Sequence, residues 1–331
     1  CTHISSQCIK KAIPYTLFHT RHQKFECLLS LICPTRYGCK SKKDNTYADK
    51  KVLLHFGAVD THCTVFVNGR KAGSHSGGYL PFTLDITDIV TVGENTLIVE
   101  VIDILDIDLA YGKQTKKRGG MWYTPTSGIW QPVWLESVPA EYVRALRVDT
   151  GADYAVICAE GVTDGTVTVT TPHGEISVPM CDGVARVDLP SPRMWSPEDP
   201  YLYEFTLQTE SDRVRSYFAL RTLDIREVNG ISRLCLNGKP YFFHGVLDQG
   251  YFSDGIFTPA SPKCYDNDIL AMKNLGFNML RKHIKIEPAY FYYACDRLGM
   301  LVMQDLVNSG PYHYLRDTAI PTIGGKLATY H

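Results

Sequence analysis

The chain has 331 residues, 44% of them hydrophobic, and a formal net charge of -1. At about 100–200 residues per domain, this length predicts two or three domains in a globular protein of ordinary composition. The near-neutral charge argues against nucleic-acid binding, because contacts to phosphate groups need a basic surface. No apolar run approaches the roughly 20 residues that cross a bilayer, so we predict no membrane partner.

The eleven cysteines are too scattered to form a metal site. Five fall in the first 39 residues and six occur singly, and none forms the short-spaced pair that zinc sites use. Scattered cysteines are typical of small buried side chains in a reducing compartment. No secretory signal is visible after Cys1. We therefore expect a cytoplasmic protein with neither a metal nor another cofactor.

Residues 1–50 show no sustained strand or helix period. They are interpreted as an irregular N-terminal segment, or as the first strands of the domain that follows. From Lys51 onward β-type runs dominate, at residues 52–56, 64–67, 96–104 and 130–138. Asn68-Gly69 predicts a hairpin turn, because both residues tolerate positive φ. Residues 51–138 are therefore predicted to form an all-β domain.

A second all-β unit is predicted over residues 139–225. Six short apolar runs are separated by turn residues, at 145–148, 155–158, 166–171, 184–189, 202–208 and 216–220. Strands of this length and spacing are typical of an immunoglobulin-like sandwich.

The pattern changes after Asp224 to alternating strands and helices. Strands are predicted at residues 241–247, 277–281 and 300–304. Ser261-Pro262 opens the first helix, with Ser261 as N-cap, and Ile269, Met272 and Leu275 form its apolar stripe. Glu287-Pro288 opens the second helix, and Gly299 ends it. Alternating strands and helices predict a parallel sheet.

Five motifs occur in order along the chain, at residues 67–82, 122–136, 194–203, 218–221 with 236–240, and 278–281 with 296–305. The first two resemble the jelly-roll sugar-binding domain of glycoside hydrolase family 2, and the third resembles the immunoglobulin-like domain of that family. The last two resemble its entry into a (β/α)8 TIM barrel. The resemblance covers about residues 51–310 and implies a multidomain, mainly β fold. It implies a jelly-roll domain at 51–138, an immunoglobulin-like β-sandwich at 139–225 and a partial TIM barrel of about three strands at 226–331.

The family includes β-galactosidases, β-glucuronidases and β-mannosidases, so the resemblance implies retaining hydrolysis of terminal β-glycosides of these sugars. Retaining hydrolysis needs a nucleophile and an acid/base carboxyl group about 5–5.5 Å apart. The resemblance implies two glutamates, one directly after an Asn, yet the sequence has no Asn-Glu pair and no glutamate after Glu287. A complete barrel takes about 250 residues, and about 105 follow Asp224. We therefore expect a fragment that lacks both catalytic glutamates and is inactive alone.

Candidate site residues lie near the predicted strand ends, because active sites of TIM barrels form at the carboxyl ends of the strands. They are Arg281, His283, Asp248, Asp305 and Asn308, as substrate-binding residues or as the wall of the active site. Arg281 either orients the nucleophilic carboxylate through two parallel hydrogen bonds or forms a structural ion pair. Asp248 and Asp305 either position sugar hydroxyls or hold strand ends, and Asn308 is a candidate for lining the pocket. His283 follows Arg281 by two positions, where the family's Ser-His-Tyr-Pro pattern has three, so its role is left open.

Other polar residues are given structural roles. Lys285 and Glu287 are interpreted as a solvent-exposed ion pair. Asp60 and His75 are interpreted as structural groups of the first β domain.

The tryptophans divide into two groups. Trp130 and Trp134 lie four residues apart on one predicted strand, so they point the same way and are interpreted as core. Trp122 and Tyr123 lie in a Gly-rich loop, where stacking on a sugar stays open.

Two alternatives to an enzyme stay open. In the first alternative, the chain is a non-catalytic carbohydrate-binding or assembly module derived from such an enzyme. In the second, it is a non-functional remnant with an open sheet edge. Front domains of the family often build subunit contacts, which leaves a homo-oligomer possible.

Overall fold

The structure is a computed structural model that describes residues 30–33, 36–43, 50–116 and 119–320. Most of the N-terminal segment predicted over residues 1–50 lies outside these ranges, as do Cys1, Cys8 and Cys27.

The first domain is a sandwich of two antiparallel sheets. Its strands are β1 (Ser30–Cys33), β2 (Arg36–Lys43), β3 (Lys51–Phe56), β4 (Val59–Asp60), β5 (His62–Val67), β6 (Arg70–Ser76), β7 (Phe82–Asp85), β8 (Gly93–Ile102), β9 (Gly128–Ile129) and β10 (Val133–Val138). A five-stranded sheet has the order β1-β2-β8-β5-β6, and a three-stranded sheet has the order β10-β3-β7, while the short strands β4 and β9 pair only with each other. Alternate apolar residues of both sheets, among them Leu54, Phe56, Val65 and Val99, form one buried core.

Strand β2 extends the first sheet ahead of the predicted start at residue 51. It pairs with β8 along its full length, from Arg36 opposite Glu100 to Lys43 opposite Gly93. Its sequence is rich in Arg, Lys, Ser and Gly, so it lacks the apolar alternation by which a strand is recognised.

The hairpin predicted at Asn68-Gly69 is confirmed. Asn68 and Gly69 have φ values of 51° and 76°, and they join β5 to β6. Two consecutive residues with positive φ match the twist of the flanking strands, and Asn and Gly adopt that conformation at low cost.

The second domain is a seven-stranded sandwich, as predicted for an immunoglobulin-like fold. Its strands are β11 (Ala145–Thr150), β12 (Tyr154–Glu160), β13 (Gly165–Thr171), β14 (Gly174–Met180), β15 (Val184–Asp188), β16 (Tyr203–Gln208) and β17 (Arg213–Phe218). The sheet orders are β11-β12-β15 and β14-β13-β16-β17. Strand β14 was not predicted. It contains Pro179, which is tolerated there because β14 lies at the edge of its sheet.

A small antiparallel sheet that was not predicted precedes the parallel strands. It consists of β18 (Leu223–Val228), β19 (Ile231–Leu236) and β20 (Lys239–Pro240). Asn-Gly turns at 229–230 and 237–238, all four residues with positive φ, connect its strands. The predicted strand at 241–247 therefore begins later, at Gly245.

The predicted parallel sheet is present after this hairpin. Strands β21 (Gly245–Asp248), β22 (Met279–Lys282) and β23 (Leu301–Gln304) pair in parallel, with helices α1 (Lys263–Asn274) and α2 (Ala289–Leu298) in the two connections. A short π-helical turn, Leu315–Ala319, follows. No helix in the described ranges is long and apolar enough to cross a membrane. The closure of this sheet into a barrel stays a prediction.

The ends of α1 differ from the sequence prediction. The helix begins at Lys263, with Pro262 rather than Ser261 at the N-cap. Leu275 is the C-cap residue and is 67% exposed, so it does not belong to the apolar stripe. Tyr265 and Ile269 are the buried residues of the helix.

The two faces of the parallel sheet have different environments. Val246, Leu280 and Val302 pack against the helices. Leu247, Arg281 and Met303 lie side by side in register on the other face, and all three are exposed. This is the face that points into the interior of a (β/α)8 barrel.

Trp195 joins the immunoglobulin-like domain to the parallel sheet. It is 1% exposed, and its indole Nε1 donates a hydrogen bond to the carbonyl oxygen of Asp296 in α2 at 2.7 Å. The guanidinium of Arg221 lies 5.0 Å from the centre of its ring. The motif at 194–203 therefore contributes a contact between domains.

Trp195→Phe is expected to destabilise the chain by about 1–3 kcal/mol, because the buried Asp296 carbonyl loses its donor. Urea unfolding followed by circular dichroism measures the loss. Trp134→Phe is the control, since Trp134 is half-buried and stacks on His55 at 4.9 Å. Equal losses in the two variants would contradict the interdomain role.

Asp60 is a buried residue at the end of β4. Thr61 Oγ1 donates to the Asp60 carboxylate and lies 3.3 Å from Oδ1 of Asp103, whose Oδ2 accepts from Ser127 at 2.5 Å. Burial, and then the nearby Asp103 carboxylate, raise the pKa of Asp60 to about 6. The structural role expected of Asp60 agrees with this burial and stays a prediction.

Asp60→Asn is expected to change how stability depends on pH. The folded chain binds this proton up to about pH 6 and the unfolded chain only up to about pH 4, so wild-type stability falls as pH rises between them. In wild type this fall in the free energy of unfolding amounts to up to about 3 kcal/mol, and Asp60→Asn lacks it because Asn does not titrate. The difference in unfolding free energy between wild type and variant therefore changes between pH 4 and pH 6. Asp188→Asn, at an exposed aspartate, is the control. If the plot of stability against pH for Asp60→Asn ran parallel to that of wild type, the prediction would be contradicted.

Candidate active site

The carboxyl ends of the three parallel strands bring polar residues together. Asp248, Lys282 and Gln304 end β21, β22 and β23 in register. The pairing continues one residue further, because His283 N–H donates to the Asp248 carbonyl at 2.9 Å and Asp305 N–H donates to the Lys282 carbonyl at 3.0 Å. The edge therefore fixes the backbone of Asp248, Arg281, His283 and Asp305, which are four of the five candidate site residues.

Arg281, His283 and Asp305 form one cluster at this edge. Arg281 Nε donates to Asp305 Oδ1 at 3.0 Å, and His283 Nδ1 lies 2.9 Å from Asp305 Oδ2. Burial raises the pKa of Asp305, but the hydrogen bonds from Arg281 and His283 outweigh it and lower the pKa below its ordinary value. Asp305 is therefore ionised and acts as the acceptor that orients both side chains.

A loop of the jelly-roll domain completes the cluster. Lys113 Nζ lies 3.1 Å from His283 Nε2, and the ring of Tyr123 meets the His283 ring edge-on at 6.3 Å. Tyr123 also packs against Tyr251, which follows β21. Lys113 was missed from the sequence, because it precedes His283 by 170 residues in another domain.

Asn308 contributes through its main chain. Its carbonyl oxygen accepts from the Tyr111 N–H at 3.1 Å, and two residues later Gly310 N–H donates to the Ile107 carbonyl at 2.5 Å. The segment after β23 is thus paired with the jelly-roll loop. The pocket-lining role of the Asn308 side chain stays a prediction.

Lys285 and Glu287 form an ion pair, but the prediction that this pair is solvent-exposed is wrong. Their exposed fractions are 2% and 3%, and Lys285 Nζ lies 2.9 Å from Glu287 Oε1. Lys282, which is 1% exposed, binds the same oxygen at 2.8 Å and Asp248 Oδ2 at 2.7 Å. Tyr265 donates its hydroxyl to Glu287 Oε2 at 3.0 Å. We call Asp248, Lys282, Lys285 and Glu287 the buried charge network.

The two lysines of the network respond differently to burial. Burial lowers the pKa of Lys282, but Glu287 and Asp248 outweigh it and raise the pKa above its ordinary value. Burial of Lys285 dominates over the attraction of Glu287 and lowers its pKa to about 8. Two cations thus face two anions, which is the condition under which buried charges are tolerated.

Trp130 and Trp134 do not share a strand as predicted. Strand β10 begins at Val133, and Trp130 lies ahead of it. The Trp130 indole donates to the Gly78 carbonyl at 2.7 Å, and its ring lies 4.5 Å from that of Phe257, between α1 and β21. Trp130 is therefore an interdomain contact rather than a core residue of one strand.

A cavity of about 410 Å³ lies between the jelly-roll loop and the segment after β23. Leu105, Tyr111, Trp122 and Tyr312 are among its lining residues. The rings of Trp122 and Tyr312 meet edge-on at 5.6 Å. Within the described ranges, no group of three His, Cys, Asp or Glu side chains is placed to hold a metal ion.

Gly250 gives a direct test of the buried charge network. Its φ is +69°, and a Cβ added there would lie 2.3 Å from Glu287 Oε1. Gly250→Ala is expected to cost about 2–4 kcal/mol, through the positive φ and the displacement of Glu287.

The matched control is Gly276→Ala, where φ is +89° and no atom lies within 4 Å of the added Cβ. It carries only the conformational cost of about 1–2 kcal/mol. Chemical denaturation compares the two, and equal costs would contradict the packing of Glu287 against Gly250.

Two family models match the chain. The sugar binding domain of glycosyl hydrolases family 2 matches residues 33–139, and the glycosyl hydrolases family 2 model matches residues 145–221. Together they cover more than half of the chain.

Curated relatives have names of the same family. A β-galactosidase of Thermoanaerobacter pseudethanolicus is 27% identical over 293 residues, which cover 80% of this chain and 38% of that protein. A β-glucuronidase of Bacteroides fragilis is 24% identical over 291 residues, which cover 80% of this chain and 42% of that protein. The chain thus spans less than half the length of these relatives.

Solved structures show the same fold. A β-glucuronidase of an uncultured Clostridium sp. has a TM-score of 0.72 at 23% identity, over 82% of this chain and 48% of that one. The β-glucuronidase of Dictyoglomus thermophilum has a TM-score of 0.71 at 21% identity, over 85% of this chain and 52% of that one. Because the two family models match successive segments that together make up more than half of its length, the chain belongs to glycoside hydrolase family 2.

Proposed function

We propose that this chain forms one wall of the active site of a glycosidase that hydrolyses terminal β-glycosides with retention. The observation that carries the proposal is the cluster of Arg281, His283 and Asp305 at the carboxyl edge of the parallel sheet. Active sites of (β/α)8 enzymes form at this edge. Lys113 makes the proposed wall a joint product of the jelly-roll domain and the sheet.

The side chains of this wall are suited to binding and orientation. Asp305 holds Arg281 and His283 through separate carboxylate oxygens, so both donors are fixed before a sugar enters. The Asp248 carboxylate also has a partner on each oxygen. Its Oδ2 accepts from Lys282 Nζ, and its Oδ1 accepts from the Gly250 N–H at 2.9 Å. A general acid for glycoside cleavage needs a raised pKa, whereas the pKa of Asp305 is lowered.

The nucleophile and the acid/base are proposed to be glutamates outside this sequence. The sequence has no Asn-Glu pair and no glutamate after Glu287, and Glu287 is held in the buried charge network. The greater length of the curated relatives supports this view. The proposed substrates are terminal β-linked galactose, glucuronic acid or mannose, and the relatives are named for the first two.

Nitrophenyl β-glycosides of the three sugars test the proposal. We expect no turnover by the 331-residue chain, and turnover once the remaining barrel strands of a family 2 enzyme are supplied. In that extended protein, Arg281→Ala is expected to lower kcat/KM by about 10²-fold or more, through lost orientation. Turnover by the 331-residue chain alone would contradict the proposed location of the glutamates.

A carbohydrate-binding module is the second candidate, and the cavity lined by Trp122 and Tyr312 favours it. Titration calorimetry of the 331-residue chain with the same sugars separates the two. Binding that is lost in Trp122→Ala, with no turnover in the extended protein, would favour the binding module over the enzyme.

A further inference from the structure

Lys285 is buried at the junction of two domains. Its ammonium nitrogen lies 4.4 Å from the ring centre of Phe257 and 5.7 Å from those of Phe252 and Trp130. Phe252 and Phe257 belong to the connection between β21 and α1, whereas Trp130 belongs to the jelly-roll domain. A desolvated ammonium over aromatic faces is attracted by the ring quadrupoles, so Lys285 stabilises the contact between these segments.

The hydrogen bonds of Lys285 connect it to Asp248. Its ammonium donates to the carbonyl oxygens of Gly250 and Phe257 and pairs with Glu287. Gly250 in turn donates its N–H to the Asp248 carboxylate. Lys285 therefore anchors the turn that orients Asp248.

The backbone connects Lys285 to His283 through one strained residue. Ile284 has a φ of +46° and is 8% exposed. A β-branched residue in the left-handed region costs of order 1–3 kcal/mol, and it stays there only where its surroundings hold it. His283 is held by Asp305 and Lys113 on one side, and Lys285 is anchored on the other.

We propose that Lys285 is a positioning residue: its anchorage keeps Ile284 in the left-handed conformation, and so holds His283 against Asp305 and the Asp248 carboxylate against Gly250 and Lys282. Through the ring of Trp130, the same lysine makes this geometry depend on the docking of the jelly-roll domain. The use of His283 and Asp248 in sugar binding rests on the proposed function, but the positioning itself does not.

The charges around Lys285 support this role. Glu287 and Lys282 are its charged neighbours, Asp248 lies beyond Lys282, and the Tyr265 hydroxyl binds Glu287. Burial lowers the pKa of Lys285 only to about 8, which is still above neutral pH. Lys285 is therefore charged at neutral pH and retains its pair with Glu287. Even as a neutral amine it keeps two N–H donors for the Gly250 and Phe257 carbonyls.

The experiment is heteronuclear NMR of the full 331-residue chain with Lys285→Met, a change that keeps apolar length but removes charge and donors. We expect large shifts of the His283 imidazole nitrogens, the Gly250 amide and the Trp130 indole, well beyond the median change elsewhere. Lys273→Met is the matched control, because Lys273 also donates to two carbonyls, that of Pro197 in the immunoglobulin-like domain and that of Leu298 in α2. It is expected to leave the three signals in place.

The double variant Lys285→Met/Glu287→Gln separates positioning from stability. Lys285→Met leaves two carboxylates facing one lysine, and the second change removes this excess negative charge, so the melting temperature recovers relative to Lys285→Met. The three signals stay displaced because the carbonyls still lack their donor. It also supplies the readout if the single variant does not fold. The proposal is overturned if the signals are unmoved, if they return together with stability, or if Lys273→Met moves them equally.

Discussion

The rest of the candidate site depends on one interaction, in which two buried lysines lie within 3 Å of the same glutamate oxygen. Glu287 Oε1 accepts from both Lys282 and Lys285, and none of the three side chains reaches solvent appreciably. Withdrawing such charges from water costs several kcal/mol for each ion, and this is offset only when every partner is present. The network is therefore cooperative, and it fixes the path of the chain between β22 and α2.

The position of the site residues follows from that path. After Lys282 the chain passes through His283, which contacts Asp305 at the carboxyl edge of the sheet, and then through Ile284, whose φ is positive. Neighbouring contacts join the same edge to the jelly-roll domain, through Lys113 on His283 and Trp130 on Phe257. The front domain thus contributes to the geometry of the site as well as to the fold.

Much of the fold was predictable because its signals are local. Asn68-Gly69 specified its hairpin, and the alternation of strands and helices specified a parallel sheet whose ends carry Asp248 and Asp305. Strand β14 was missed because a proline interrupts it, and β2 because basic and small residues replace the usual alternation. In each case the strand is defined by its pairing partner rather than by its own pattern.

The site was predictable only in part. Parallel strands end at one edge, so Asp248, Arg281 and Asp305 followed from their places in the sequence. The burial of Lys285 and Glu287 did not, because a neighbouring charged pair is buried only where partners from distant segments cover it and accept its hydrogen bonds. Those partners, the Gly250 carbonyl and the Trp130 ring, are 35 and 155 residues away along the chain. Lys113 gave no local signal for the same reason.

The central claim is that the jelly-roll domain and the parallel sheet hold one site together. Amide hydrogen exchange of the intact 331-residue chain tests this claim most directly. The account predicts slow exchange at His283 N–H and Tyr111 N–H, which donate to Asp248 and Asn308, comparable with the core strands of the immunoglobulin-like domain. Exchange of both amides at the rate of an unfolded peptide, with those core strands still protected, would contradict it.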